Sequence, residues 1–132
     1  MIVEVYIRFR IADKHHLSGR PLGLFGAIDD LQRAGQISAH ELDRSRALVG
    51  WFGDELPVPS RLSKSSKTHA TPVALSWFKD SATRHISKMR DIASILEEHG
   101  VRVRMLTTKK PGYIVYEDEF QVAAQPFPDT PV

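Results

Sequence analysis

The residues best suited to chemistry lie in a basic segment at positions 61–69. Three cationic side chains recur there at intervals of three, and hydroxyl side chains lie between them. Cations and hydroxyls together bind the oxygens of phosphates and carboxylates. The segment has no glycine, so it is not the glycine-rich phosphate loop of nucleotide-binding proteins. The predicted anion-binding residues of this segment are Arg61, Lys64, Ser65, Lys67, Thr68 and His69.

The basic segment is expected to lead directly into a long helix. Thr71 and Pro72 have the pattern of an N-cap followed by a first-turn proline, and apolar residues then recur every three or four positions up to Gly100. A helix N-terminus presents unpaired amides and a partial positive charge, which attract anions. We therefore predict that residues 57–71 form a flexible basic loop that binds an anion at this helix start. The alternative is a solvated loop without a ligand.

A second basic cluster is predicted from strand alternation. Arg102 and Arg104 lie on one face of a predicted strand and complete the predicted anion-binding set. Arg8 and Arg10 lie on the outward face of the first predicted strand. If the two strands are neighbours, all these guanidinium groups share one surface of the sheet. The alternative is that they are ordinary solvent-face residues.

The charge distribution agrees with an anionic partner. The formal net charge is only +2, but residues 61–110 contain eleven basic and four acidic side chains, a balance of +7. The first hypothesis is therefore a small binding module for a nucleic-acid backbone or a phosphate-bearing ligand, with Tyr6 and Tyr113 as platforms for bases. The second is a protein-interaction or inhibitory module that uses sheet edges and the tail around Phe127.

A third hypothesis is a small enzyme centred on Lys79, Asp80, His69 and His85, in which burial would lower the pKa of the lysine. The chain has no cysteine, which excludes disulfides, thiolate metal sites and cysteine nucleophiles. No cofactor motif occurs, and the residues Glu117–Glu119 would point their carboxylates in different directions. We therefore expect no cofactor and no metal site, and we favour a binding module over an enzyme.

The local signals predict the elements that position these residues. The first strand alternates apolar and polar residues up to Ile11, and a helix over 22–34 ends before Gly35. Ser38 and Glu41 form a capping box that starts a second helix, which ends before Pro57. After the long third helix, strands are predicted over 101–105, 113–116 and 120–124, followed by an extended tail over 126–132.

These elements predict the fold class. The order β-α-α-α-β-β-β indicates an α+β two-layer sandwich, with a mostly antiparallel four-stranded sheet and the three helices on one face. A chain of 132 residues fits a single domain over 1–132. The sequence has neither a membrane-length apolar run nor the pattern of a secretory signal, so we expect a cytoplasmic protein without membrane contact.

Two segments carry a resemblance. Residues Trp77–Ala82 and Pro111–Glu119 resemble segments of a family of small bacterial proteins to which no activity is attached. The resemblance covers roughly the C-terminal half and implies a bacterial cytosolic protein. It transfers no functional residue.

Overall fold

The structure is a computed structural model, and it describes residues 4–12, 23–56 and 74–131. These residues form three helices and five strands. In chain order the elements are β1 (Tyr6–Ile11), α1 (Leu24–Arg33), α2 (Ala39–Glu55), β2 (Leu75–Lys79), α3 (Thr83–Glu98), β3 (Val103–Thr108), β4 (Tyr113–Glu117) and β5 (Gln121–Gln125). The α+β class, the helix count and the antiparallel sheet are confirmed, whereas the predicted number of four strands and the element order β-α-α-α-β-β-β are wrong, because a further strand lies between α2 and α3.

The strands form one sheet in the order β3-β1-β2-β5-β4. β2 lies at its centre and pairs antiparallel with both β1 and β5. β4 pairs antiparallel with β5, and a register shift between Ile114 and Tyr116 bends β4. In the described sheet, β3 and β4 are the two edge strands.

The missing strand is the first part of the predicted long helix. Residues Leu75–Lys79 form β2, and α3 begins only at Thr83. The helical spacing from Phe78 onward was therefore misleading, because Trp77 pairs across strands with Val122 rather than with a helical neighbour. Trp77 and Val122 are more than forty residues apart in the chain, and their pairing outweighs the local helical periodicity. Whether a segment forms a strand depends on such tertiary contacts.

The chain divides into two compact units, and the boundary between them runs through β1 and β3. The first unit contains residues 4–8, 74–83 and 106–131 of the described chain. Its core is formed by Tyr6, Trp77 and Val122, with Leu75 and Leu106 packed against them. Tyr6 was predicted to face solvent, but it is buried here and its hydroxyl donates to Glu4.

The turn between β4 and β5 is organised by Asp118. One carboxylate oxygen accepts the backbone N–H groups of Phe120 and Gln121, and the other accepts the Tyr116 hydroxyl and the Gln121 side-chain amide. The carboxylate of Asp118 therefore has a structural role in this turn. Further along, in the tail predicted to be extended, Phe127 and Thr130 close a turn through reciprocal hydrogen bonds of 3.0 Å.

The second unit contains residues 9–12, 23–56 and 84–105 of the described chain, and hence all three helices. Gly35 has a φ of 65° immediately after α1, and the amides of Gly35 and Gln36 bond back to Gln32 and Leu31. This is the Schellman pattern, in which one residue has a left-handed backbone conformation. A glycine adopts that conformation without steric cost. The predicted ending of α1 is confirmed.

The start of α2 is the predicted capping box. The Ser38 hydroxyl accepts the Glu41 amide at 3.2 Å, and the Glu41 carboxylate accepts the Ser38 amide at 3.2 Å. Both groups would otherwise be unpaired donors of the first turn. Between α1 and α2, the fully buried Ser45 hydroxyl accepts the Gln32 amide and donates to the Leu42 carbonyl.

α2 and α3 run antiparallel and are joined at three levels. Glu41, at the start of α2, contacts His99 just after α3 at 2.9 Å. Arg44 lies 4.0 Å from Asp91 in the middle. At the other end, the buried His85 ring meets the Glu55 carbonyl oxygen at 2.9 Å and the Trp51 ring edge to face. No described helix has both the length and the apolar character that crossing a membrane requires.

Candidate functional site

The predicted residues Arg102 and Arg104 lie at the edge of the sheet. Both side chains are exposed, and Arg104 lies within β3, which has a strand neighbour on one side only in the described sheet. That neighbour is β1, so the condition set for the arginine cluster is met. The arginines of the two strands can therefore share one surface.

The register brings Arg10 directly opposite Arg104. The Ala12 amide donates to the Arg102 carbonyl at 2.8 Å, which joins the end of β1 to the beginning of β3 and makes the pair antiparallel. Moving two residues back along β1 and two residues forward along β3 pairs Arg10 with Arg104. Directly opposed residues in an antiparallel ladder lie on the same face, with Cβ atoms about 5 Å apart.

The opposed arginines form an electrostatically unfavourable pair. Like charges directly opposite each other destabilise a sheet. Arg10 is half-buried, its Nη1 donates to the carbonyls of Ile11 and Ala12 at 2.8 and 3.3 Å, and its Nε is buried without an acceptor in the described chain. No carboxylate of the described residues pairs with either Arg10 or Arg104. An anion would relieve the repulsion.

The opposite face of the same strands lines a groove. A solvent-open depression of about 360 Å³ lies between α3 and the β1–β3 pair. The strands contribute Phe9, Val103 and Met105 to it, which agrees with the register because Phe9 then lies opposite Met105. The contribution of α3 consists of Arg90, Ala93, Ser94 and Glu97. β3 therefore separates a basic face from a largely apolar groove.

The remaining predicted anion-binding residues, Arg61, Lys64, Ser65, Lys67, Thr68 and His69, lie outside the described residues, as does the whole predicted loop 57–71. The predicted long helix after this segment is corrected: the described chain resumes at residue 74, and its first element there is the strand β2, with α3 beginning only at Thr83. Tyr6 is buried and is no platform for bases, whereas Tyr113 is 67% exposed on β4.

Two residues of the enzyme hypothesis, Lys79 and His85, are held in structural contacts. The Lys79 ammonium lies 2.6 Å from a Glu117 carboxylate oxygen. This hydrogen bond raises the pKa of Lys79, although burial acts in the opposite direction. A catalytic lysine would need a lowered pKa instead. His85 packs against Trp51 and the Glu55 carbonyl, and His69 lies outside the described residues.

The described residues do not provide a set of side chains that could hold a metal ion. Within residues 4–12, 23–56 and 74–131, no three His, Asp or Glu side chains converge as ligands.

Sequence reasoning placed Arg102 and Arg104 on one face of a strand, but it predicted neither the groove nor the register that sets Arg10 opposite Arg104. The alternation of Val103 and Met105 with the arginines does indicate two different faces of β3. The position of β3 at an edge and its register against β1 depend on contacts about ninety residues apart, which no local pattern encodes. Comparisons with family models, curated proteins and solved structures find no match for this chain.

Proposed function

We propose that this protein is a small binding module that recognises an anionic partner through the arginines at the β3 edge of its sheet. The observation that carries the proposal is the Ala12–Arg102 hydrogen bond between β1 and β3, because the register counted from it sets Arg10 opposite Arg104. Arg102 adds a third guanidinium group on the same side of β3 by strand alternation. Guanidinium groups bind carboxylates and phosphates through planar, paired N–H donors.

Two features of this surface support recognition rather than simple solvation. Arg104 is exposed, so it can reach a ligand, whereas Arg10 is anchored by two backbone carbonyls and holds its charge in a fixed place. A fixed charge loses little conformational entropy on binding. The basic balance of residues 61–110 would add long-range attraction for the same partner.

The test is a binding titration with three labelled anions: an acidic peptide, a DNA oligonucleotide and an RNA oligonucleotide. We expect at least one to bind with an affinity that falls as salt is raised from about 50 to 300 mM, since ionic contacts are screened over that range. The double variant R102Q/R104Q should weaken that binding about tenfold or more, as expected from losing charge-assisted contacts.

The matched control is R33Q/R46Q, which removes the same charge from the helices α1 and α2. Arg33 and Arg46 are exposed and lie in α1 and α2 rather than in the sheet, so this variant should bind almost as tightly as the unaltered protein. Equal losses in both double variants would mean that only net charge matters. That result, or the absence of salt-dependent binding to all three anions, would contradict the proposal.

Three wider expectations stay predictions beside this proposal. They are the two-layer arrangement of helices on one face of the sheet, the cytoplasmic location, and the relation to small bacterial proteins suggested by residues Trp77–Ala82 and Pro111–Glu119. None of them is needed for the binding test.

A further inference from the structure

We propose that the partner is an extended peptide that adds a strand to the free edge of β3 and alternates acidic with apolar side chains. The acidic side chains would contact the arginine face, and the apolar ones would enter the groove beside α3. This inference rests on the proposed function, because it names the class of anion that the arginines recognise.

The first requirement is a backbone edge that can accept a strand. The Ala12–Arg102 hydrogen bond turns the N–H and C=O groups of Arg102 and Arg104 toward β1. The groups of Val103 and Met105 then point away from β1, on the side where β3 has no strand neighbour in the described sheet. Such an edge is a template for pairing with another extended chain.

The second requirement is a place for the side chains of that strand. Met105 is 46% exposed, and it lines the groove with Val103 and the buried Phe9. A groove between an edge strand and a helix is the geometry in which added strands are held, because every second side chain of the peptide faces the helix. The depression is large enough for two or three small apolar side chains, at about 360 Å³.

The third requirement is charge complementarity on the other face. Peptide residues between the apolar ones would lie beside Arg102 and Arg104, at the two-residue spacing of a strand. Carboxylates at that spacing would meet Arg104 and its opposed partner Arg10. Recognition therefore needs the order of residues in the peptide, not only its net charge.

The same surface fits a nucleic-acid strand less well. A phosphate chain repeats its charge without alternating to an apolar group, so it would use only the arginine face of β3. On the groove side it would meet one cation, Arg90, which lies 4.0 Å from the Met105 sulfur, and the opposing carboxylate of Glu97. It would also leave the edge N–H and C=O groups of Val103 unused. The observations therefore favour a peptide.

The experiment compares peptides of identical composition with the full chain by fluorescence anisotropy. The probe is an octapeptide of alternating glutamate and valine, and the control has its glutamates and valines in two separate blocks. A third peptide alternates but carries N-methyl groups on its valines, whose amides would pair with β3. We expect the alternating peptide to bind about tenfold more tightly than either control. The block peptide cannot place valines in the groove and glutamates beside the arginines along its whole length, and the N-methylated peptide loses hydrogen bonds to β3.

Two protein variants, each compared with a control variant, identify the surface. M105S should weaken binding of the alternating peptide while leaving binding of the block peptide unchanged. V49S alters another exposed apolar residue, on α2, and should leave the binding of both peptides unchanged. R104Q should weaken the alternating peptide about tenfold relative to R46Q. Protection of the Val103 and Met105 amides from hydrogen exchange on adding the peptide would support strand addition directly.

The outcomes separate the two proposals. Equal, salt-dependent binding of alternating and block peptides would overturn strand addition while supporting anion recognition. Binding of DNA or RNA with no binding of the alternating peptide would likewise overturn the peptide proposal alone. No binding of any anion would overturn both.

Discussion

The carboxylate of Asp118 shows how one side chain fixes a turn. Its two oxygens accept four donors, two from the backbone of the turn and two from the Tyr116 and Gln121 side chains. Burial acts to raise the pKa of Asp118, but the hydrogen bonds from Gln121, Phe120 and Tyr116 outweigh it and lower the pKa below its ordinary value. The charged form is therefore the one that the folded state stabilises.

This lowered pKa predicts a dependence of stability on pH. Because the pKa of Asp118 is lower in the folded than in the unfolded protein, its stabilising effect is present above the unfolded value of about 3.9 and is lost as the pH falls through the folded value. Asp118→Asn should lower the free energy of unfolding at pH 7 by about 1–3 kcal/mol, because an amide nitrogen cannot accept the Tyr116 hydroxyl. Denaturant titrations at several pH values measure this difference, which should shrink below about pH 4.

The matched control for this variant is Glu119→Gln, which changes the neighbouring exposed acid. It should leave the unfolding free energy at pH 7 nearly unchanged, within about 0.5 kcal/mol for a surface site. An Asp118→Asn protein as stable as the Glu119→Gln protein at pH 7 would show that the turn does not depend on the carboxylate.

The contact between Lys79 and Glu117 leads to a second prediction about a single residue. Its ammonium is bound by Glu117 and its pKa is raised, so the neutral, nucleophilic amine is scarce at pH 7. Acetic anhydride in limiting amount should therefore acylate the exposed Lys109 and Lys110 before Lys79, as measured by peptide mass spectrometry. Preferential acylation of Lys79 would instead restore the hypothesis of a catalytic lysine.

At the scale of the elements, the capping box of α2 is the clearest local stabilisation. Ser38→Ala removes the oxygen that accepts the Glu41 amide, and it should lower the unfolding free energy by about 1 kcal/mol. Ser94→Ala is the control, because the Ser94 hydroxyl only bonds back to the Arg90 carbonyl within α3. Alanine is the better helix former, so the control should be neutral or slightly stabilising in the same denaturant titration. A Ser38→Ala loss no larger than the control would refute the capping role.

Elements whose signals are local could be predicted from the sequence. Gly35 and the pair Ser38 and Glu41 act within a few residues, and the structure has them as expected. β2 could not be predicted, because Phe78 and Ala82 continue the helical spacing of α3 and nothing nearby competes with it. The pairing of Trp77 with Val122 decides that segment.

The features of the candidate site also divide into those that local sequence signals predict and those that they do not. Strand alternation places Arg102 and Arg104 on one face, and this part of the prediction needed no distant contact. Their partner Arg10, the groove beside Met105 and the edge position of β3 follow from sheet order and register. These are set by contacts between distant segments, so they became visible only in the folded chain.

At the scale of the whole molecule, the two compact units share two strands. β1 and β3 each continue without interruption from one unit into the other. Because the same two strands run through both units, unfolding of one unit would end both strands partway along their length, and we expect a single cooperative transition. The fully buried Trp77 belongs to the first unit and the half-buried Trp51 to the second, so each unit has its own reporter.

Labelling with 5-fluorotryptophan gives one fluorine resonance for each unit, and Trp51→Phe assigns them. In a urea titration the two native resonances should lose intensity with the same midpoint. Separate midpoints would show that the units unfold independently, and the prediction of one domain would then be wrong.

The central position of β2 also determines when the fold can be completed during synthesis. β2 pairs with β1, made long before it, and with β5, made more than forty residues later, so Trp77 lacks its partner Val122 until β5 has emerged from the ribosome. Until then the nascent chain exposes a tryptophan-containing strand with one open side, a species that favours aggregation. The interval between the emergence of β2 and the emergence of β5 is therefore the one in which a chaperone would have the greatest effect on the yield of native protein.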